Sequence, residues 1–142
     1  MIGRRLEARD YHRLLTFRDG LRRFQHWSEA QAAAVGLTPS QHQLLLAIRG
    51  HDGDGLAGHT PPAVGDVAAH LMLRHHSAVE LINRAVGAGL VVRHADPADH
   101  RVVRLDLTPE GARRLEALTA LHLDELSRLA PGLAPLWEGL EG

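Results

Sequence analysis

Asp96-Pro97-Ala98-Asp99-His100-Arg101 is the stretch on which the reading of this chain turns. It separates two short runs of β type, Leu90-Val91-Val92-Arg93-His94 and Val102-Val103-Arg104-Leu105-Asp106-Leu107. Asp-Pro followed by Asp is turn chemistry, so the three pieces predict a hairpin whose tip carries Arg101. Just upstream, His75 to Ala88 has the pattern of an amphipathic helix, closed by Gly87 and Gly89. Helix, strand, arginine-tipped loop, strand is the order of a winged helix-turn-helix. In that design the helix enters the major groove of DNA and the loop reaches the neighbouring minor groove. A hairpin tip can carry a guanidinium into a narrow, strongly negative groove. Asp99, two residues earlier, is placed to hold that guanidinium in a bidentate pair.

Working outward, the predicted fourth helix divides cleanly. Ala78, Leu81, Ile82 and Ala85 share one face at 100° per residue. His76, Val79, Glu80 and Asn83 take the opposite face, with Ser77 and Arg84 on its flank. Val64, Val67, Ala68 and Leu71 predict a short third helix before it. Thr38-Pro39-Ser40-Gln41 is a strong start for a second helix running to about Arg49: Thr38 caps, Pro39 suits the first turn, and Gln41 completes a capping box. Gly50 to Pro62, rich in Gly, Asp, His and Pro, is expected as a loop.

The two ends are helical. From Glu7 to about Val35, Leu14, Phe17, Leu21 and Phe24 recur at spacings of three and four, and Gly36 is a good stop. Thr108-Pro109-Glu110 opens a helix that carries Leu115, Leu118 and Leu126 to about Leu129. Pro131 is expected to begin a separate, last short helix with Leu133, Leu136, Trp137 and Leu140 on one stripe. The terminal seams are wider than a small winged core can cover, so they call for a partner, most simply a second copy. A two-fold dimer sets its reading helices about 34 Å apart and demands a pseudo-palindromic site on double-stranded DNA.

The 142 residues suit one domain, and 44% hydrophobic content is enough for a core. Aromatics are 4%, so that core must be mostly Leu, Val and Ala. A net charge of −1 does not announce nucleic acid, but a local patch matters more than the total. There are no cysteines, which removes disulfides, thiolate metal sites and thiol-based sensing. No apolar segment follows the charged start and none is long enough to span a bilayer. A cytoplasmic protein with no membrane partner is expected.

Together these segments resemble the MarR/SlyA-type winged helix-turn-helix regulators over nearly the whole chain. The resemblance rests on Gly36-Leu37-Thr38-Pro39-Ser40-Gln41, Val67-Ala68-Ala69-His70-Leu71, Gly89-Leu90-Val91-Val92-Arg93, the 96–101 loop and Leu107-Thr108-Pro109-Glu110-Gly111. It implies a mainly α fold with a small β-wing. Residues 37–108 would form the DNA-binding lobe, and 1–36 with 109–142 a helical dimerisation region, all in one intertwined domain. It further implies a homodimeric, sequence-specific regulator, in the repressor sense, with Arg101 and Asp99 as the wing pair. The DNA-binding set is then Arg74, His75, His76, Ser77, Val79, Glu80, Asn83, Arg84, Asp99 and Arg101.

The chain departs from the family in two places. Ser or Thr often opens the reading helix, where this chain has Arg74, a poor cap. Glu80 is an acid where a basic or neutral polar residue is usual; it repels phosphate but can accept a bond from cytosine N4.

The resemblance also implies a small-molecule pocket between the dimer helices and the lobe. Trp27 would supply an aromatic wall there, beside Leu46, and His42 and Arg18 polar groups suited to a small aromatic acid or phenol. Eleven histidines invite a metal reading instead, through Asp66 and His70 at i, i+4 and the crowd His51, Asp52, Asp54 and His59. Two ligands on a helix do not make a zinc site, so no metal or cofactor is expected. Nor is an enzyme: there is no phosphate loop, nucleophile elbow or convergent carboxylate pair. A metal-responsive regulator and a dimeric interaction module without DNA binding are the alternatives.

Overall fold

The computed structural model describes residue 3, residues 5–51 and residues 60–140. Its elements run α1 (Ala8–Ala34), α2 (Pro39–Gly50), α3 (Val64–Leu71), α4 (His75–Gly87), β1 (Val91–Ala95), β2 (Val103–Leu107) and α5 (Pro109–Trp137). The fold is mainly α with a two-stranded antiparallel wing, as expected.

Local chemistry sets the boundaries. The Glu7 N–H donates to Asp10 Oδ2 at 2.8 Å ahead of α1. Gly36 ends that helix at φ +76°, where a side chain would be strained. The Leu37 N–H then reaches back to the Ala32 carbonyl at 2.9 Å. Thr38 and Gln41 close the expected box at the start of α2: the Gln41 N–H donates to Thr38 Oγ1 at 3.1 Å and the Thr38 N–H to Gln41 Oε1 at 3.0 Å.

The turn from α3 to α4 is made by Met72 at φ +54°, a left-handed position taken without glycine. In the wing, Val91 pairs with Leu107 and Ala95 with Val103. Leu105 is fully buried, whereas Val103, near the tip, is exposed, so the alternation fades with distance from the core. The segment before α3 adds a short third edge. The Leu105 N–H donates to the Pro62 carbonyl at 2.9 Å, and Ala63 bridges to Arg104.

α2 is the hub. Leu44, Leu45 and Ile48 are buried on it, and it packs against α1, α3, α4, α5 and β2. Val67, Ile82, Leu90, Leu105, Leu115 and Leu118 complete one continuous core. α5 corrects one expectation. It runs unbroken through Pro131 and Pro135 to Trp137, with no separate last helix. Each proline removes one helical N–H. Both are exposed, so water can serve the freed carbonyls, while Leu133 and Leu136 stay half-buried. An edge contact between Trp137 and Phe17 at 5.6 Å ties that end to α1.

α5 begins against main chain. Thr108 Oγ1 donates to the Gly89 carbonyl at 2.6 Å and accepts from the Gly111 N–H at 3.0 Å, while the Thr108 N–H donates to the Leu90 carbonyl at 3.0 Å. Gly111 is buried there, and a Cβ on it would overlap the Leu90 carbonyl oxygen. Alanine favours a helix over glycine by about 1 kcal/mol, but a backbone carbonyl cannot swing aside as a side chain would. Overlap therefore decides the sign. We expect Gly111→Ala to lose about 1–3 kcal/mol in urea unfolding; an equal or higher stability would show that the contact is not tight.

Candidate nucleic-acid interface

The wing tip is organised by two aspartates. Asp96 Oδ1 accepts the N–H groups of Ala98 at 2.8 Å and Asp99 at 3.0 Å, which forms the turn. Its other oxygen accepts from Arg104 Nε at 2.8 Å, and Arg104 Nη1 donates to the Pro61 carbonyl at 3.2 Å. Arg104 thus ties the loop to the segment preceding α3. Its bond, followed by the two turn N–H groups, holds the Asp96 carboxyl below the usual carboxylate range.

Asp99 does the job expected of it. Its Oδ1 accepts the Arg101 N–H and Nε, both at 3.1 Å, and its Oδ2 accepts Nη2 at 3.3 Å. The Arg101 side chain bond, then the Arg101 N–H, lowers the Asp99 pKa. The Arg101 side chain is 91% exposed. An ion pair in water adds little stability, so what the pair supplies is direction for an open guanidinium.

α4 turns Ala78, Ile82 and Ala85 into the core. Arg74, His75, His76, Glu80, Asn83 and Arg84 are exposed, and Ser77 and Val79 are half-buried at the edges of that face. Arg74 precedes the helix with no side-chain cap, as its chemistry predicts. Ser77, Glu80 and Arg84 meet Thr38, Ser40 and Gln41, at the start of α2, around a hollow of about 410 Å³. The expected interface residues therefore share one helix face and one loop.

The expected ligand set is brought together only in part. His42 is buried at 4% exposure on α2. Its ring lies 4.8 Å from that of His122 on α5, which in turn lies 4.9 Å from Trp27 on α1. His122 Nδ1 is 2.7 Å from the Leu118 carbonyl, and its Nε2 is 2.6 Å from Ser28 Oγ. A carbonyl only accepts, so Nδ1 carries the proton and, in the neutral ring, Nε2 accepts from the Ser28 hydroxyl.

Phe24, Ser28 and His42 border an open hollow of about 480 Å³. Leu46 instead lines a different hollow, with His70 and Leu71. Arg18 is exposed on α1, nine residues before Trp27 and so about 13 Å along the helix. These two residues do not join Trp27 and His42. Ser28 and His122 do, and neither is among the ligand residues expected from the sequence. The legible signal was a polar residue on an otherwise apolar stripe.

At the other end of α2, His51 Nδ1 lies 3.0 Å from His70 Nε2, and His51 Nε2 lies 3.9 Å from Asp66 Oδ2. Asp66 already accepts the Ala63 N–H at 2.9 Å. Among the described residues no group of three or more such side chains could hold a metal ion. Asp52, Asp54 and His59 lie outside the described residues.

Burial first, and His122 second, lowers the His42 pKa. The folded state then keeps His42 neutral where the unfolded chain already takes a proton. The resulting loss of stability sets in as pH falls through about 6.5 and is complete below the lowered value. Urea unfolding of wild type and His42→Leu between mildly alkaline and acidic pH should show a steeper acid-side loss in wild type; parallel profiles would contradict it.

Residues 35–102, which hold α2 through the wing tip, match the family model described as MarR family. A stretch of 53 residues, 37% of this chain, is 40% identical to the uncharacterized HTH-type transcriptional regulator YsmB of Bacillus subtilis (strain 168), of which it covers 36%. Among solved structures, AbsC, a MarR family transcriptional regulator from Streptomyces coelicolor, aligns with a TM-score of 0.67 at 22% identity, over 98% of this chain and 99% of that one. The S. aureus MepR–DNA complex aligns with a TM-score of 0.63 at 22% identity, over 83% of this chain and 81% of that one. Sequence likeness to the MarR family thus runs from α2 to the wing tip, and structural likeness extends to both terminal helices: the chain has the winged helix-turn-helix fold.

Proposed function

We propose that this chain is a transcriptional regulator that binds double-stranded DNA as a homodimer, represses from a pseudo-palindromic site, and is released by a small aromatic ligand. The observation that carries DNA binding is the wing tip, where Asp99 holds an Arg101 guanidinium that is otherwise open to solvent. α4 supports it with an exposed polar face. So does the likeness to MepR, a protein solved in complex with DNA.

Residues 1–36 and 109–142 form the dimerisation region in this reading, and 37–108 the DNA-binding lobe. Leu14, Leu15 and Leu21 on α1, and Leu121, Leu123 and Leu126 on α5, are exposed in the single chain. Apolar surface costs about 25 cal/mol per Å² in water, so a second copy gains by covering it. The ligand would enter the hollow beside Phe24, Ser28 and His42, with Trp27 behind it next to His122. Arg18 and Leu46 are not needed for it.

DNA affinity at fixed moderate salt is the decisive measurement. Arg101→Ala should weaken binding to specific and non-specific duplexes alike and lower the salt slope by roughly one. Asp99→Ala should weaken it less, because Asp99 orients and does not touch DNA. Unchanged affinity in the Arg101 variant would overturn the wing reading. Light scattering should give a dimer at micromolar concentration; a stable folded monomer would remove the two-fold model. Benzoates and phenols, added to the same titration, should quench Trp fluorescence and release DNA. A panel that does neither would overturn the ligand reading.

A further inference from the structure

Glu80 is the one carboxylate on α4, among Arg74, His75, His76 and Arg84. Side chains one turn away are ready partners for it: His76 at i−4 and Arg84 at i+4. Yet Glu80 is exposed and makes no hydrogen bond or ion pair with any described residue. Some carboxylates elsewhere in the chain pair within a turn: Asp19 holds Arg22, Glu110 holds Arg113 and Arg114, and Glu125 holds Arg128. Glu29, Glu116, Asp124 and Glu138, like Glu80, make no ion pair with any described residue. Glu80 is therefore left free on the face that the proposed function turns toward DNA. It lies beside the hollow where α4 meets the start of α2.

A free carboxylate at such a face is costly near phosphates. It becomes favourable where a base edge offers a donor. The major-groove edges differ sharply in that respect. Guanine shows two acceptors, and thymine an acceptor and a methyl group. Adenine shows an amino donor, but its N7 acceptor stands beside it and repels the second carboxylate oxygen. Cytosine shows its N4 amino group with no acceptor on the same base edge. The order of preference for a carboxylate is thus cytosine, then adenine, with guanine and thymine rejected.

We infer that Glu80 is a specificity-determining residue that selects a cytosine in each half-site and lowers affinity for DNA lacking it. The inference rests on the DNA-binding reading and adds to it one base identity and the side chain that reads it. Because the carboxylate is unpaired in the free protein, no internal bond has to break before it engages the base. The same absence of an internal partner lets Glu80 be replaced without disturbing the fold.

The test is selection of bound duplexes from a randomised library by the full-length wild type, Glu80→Gln and Glu80→Ala, with helicity checked by circular dichroism. Wild type should enrich a cytosine at one fixed position in each half-site. Changing that base pair should weaken wild-type binding on the order of 10- to 100-fold. Glu80→Gln keeps the shape but adds a donor, and a terminal amide pairs with adenine N6 and N7. The selected base at that position should therefore switch from cytosine to adenine. Glu80→Ala should lose preference there alone, and should bind random duplex more tightly than wild type does. If all three proteins enrich the same site, Glu80 reads nothing and the inference fails while DNA binding stands. If wild type enriches no duplex, the DNA-binding reading fails and the inference falls with it.

Discussion

The contact between Gly111 and the Leu90 carbonyl is the constraint from which the rest of the geometry follows. It brings the first turn of α5 directly onto main chain at the point where β1 is about to begin. Thr108 locks the same junction with bonds to the carbonyls of Gly89 and Leu90. One short stretch of backbone therefore sets two directions at once, that of the wing and that of the long helix. From there α5 sends Leu115 and Leu118 into the core. One turn further it sends His122 into the space between α1 and α2.

Charge is handled in opposite ways at the two ends of the lobe. At the wing it is kept in water and paired, so the fold gains little energy and much orientation. Beneath α1 the imidazole of His42 is held away from water, and His42 resists protonation because of where it sits. The first arrangement keeps a cation open to an outside partner. The second makes the packing of three helices sensitive to a proton. Arg104 lies between these regimes, with side-chain exposure of 22% and bonds to both Asp96 and Pro61. Its role is to hold the loop, which leaves Arg101 free of that duty.

Most of the architecture was legible because its signals are local. Thr38-Pro39-Ser40-Gln41, the period of α4, and the 96–101 loop each carry their own geometry in a few residues. Asp99 and Arg101 are two positions apart, so their pairing could be read directly. What escaped depended on distance. Ser28 and His122 are separated by 94 positions and meet only because α5 crosses α1. The wrong grouping of Arg18 and Leu46 with Trp27 has the same origin: helical period says which face a residue takes, not which neighbour that face meets. The break expected at Pro131 failed because a rule about backbone donors was applied where both prolines are exposed and the helix packs through other residues. Met72 in the left-handed region had no sequence signal, since the residue type argues against that conformation.

The length of α5 has a mechanical consequence. At 29 residues it extends roughly 43 Å from its base. Its base is fixed by a carbonyl contact too tight for a methyl group, and its far end is tied to α1 by Trp137 against Phe17. A tilt of about 5° at the base displaces the Trp137 end by roughly 4 Å, following from that length. Small rearrangements at the junction are thus magnified at the far end, where they reach α1 through Trp137 and Phe17.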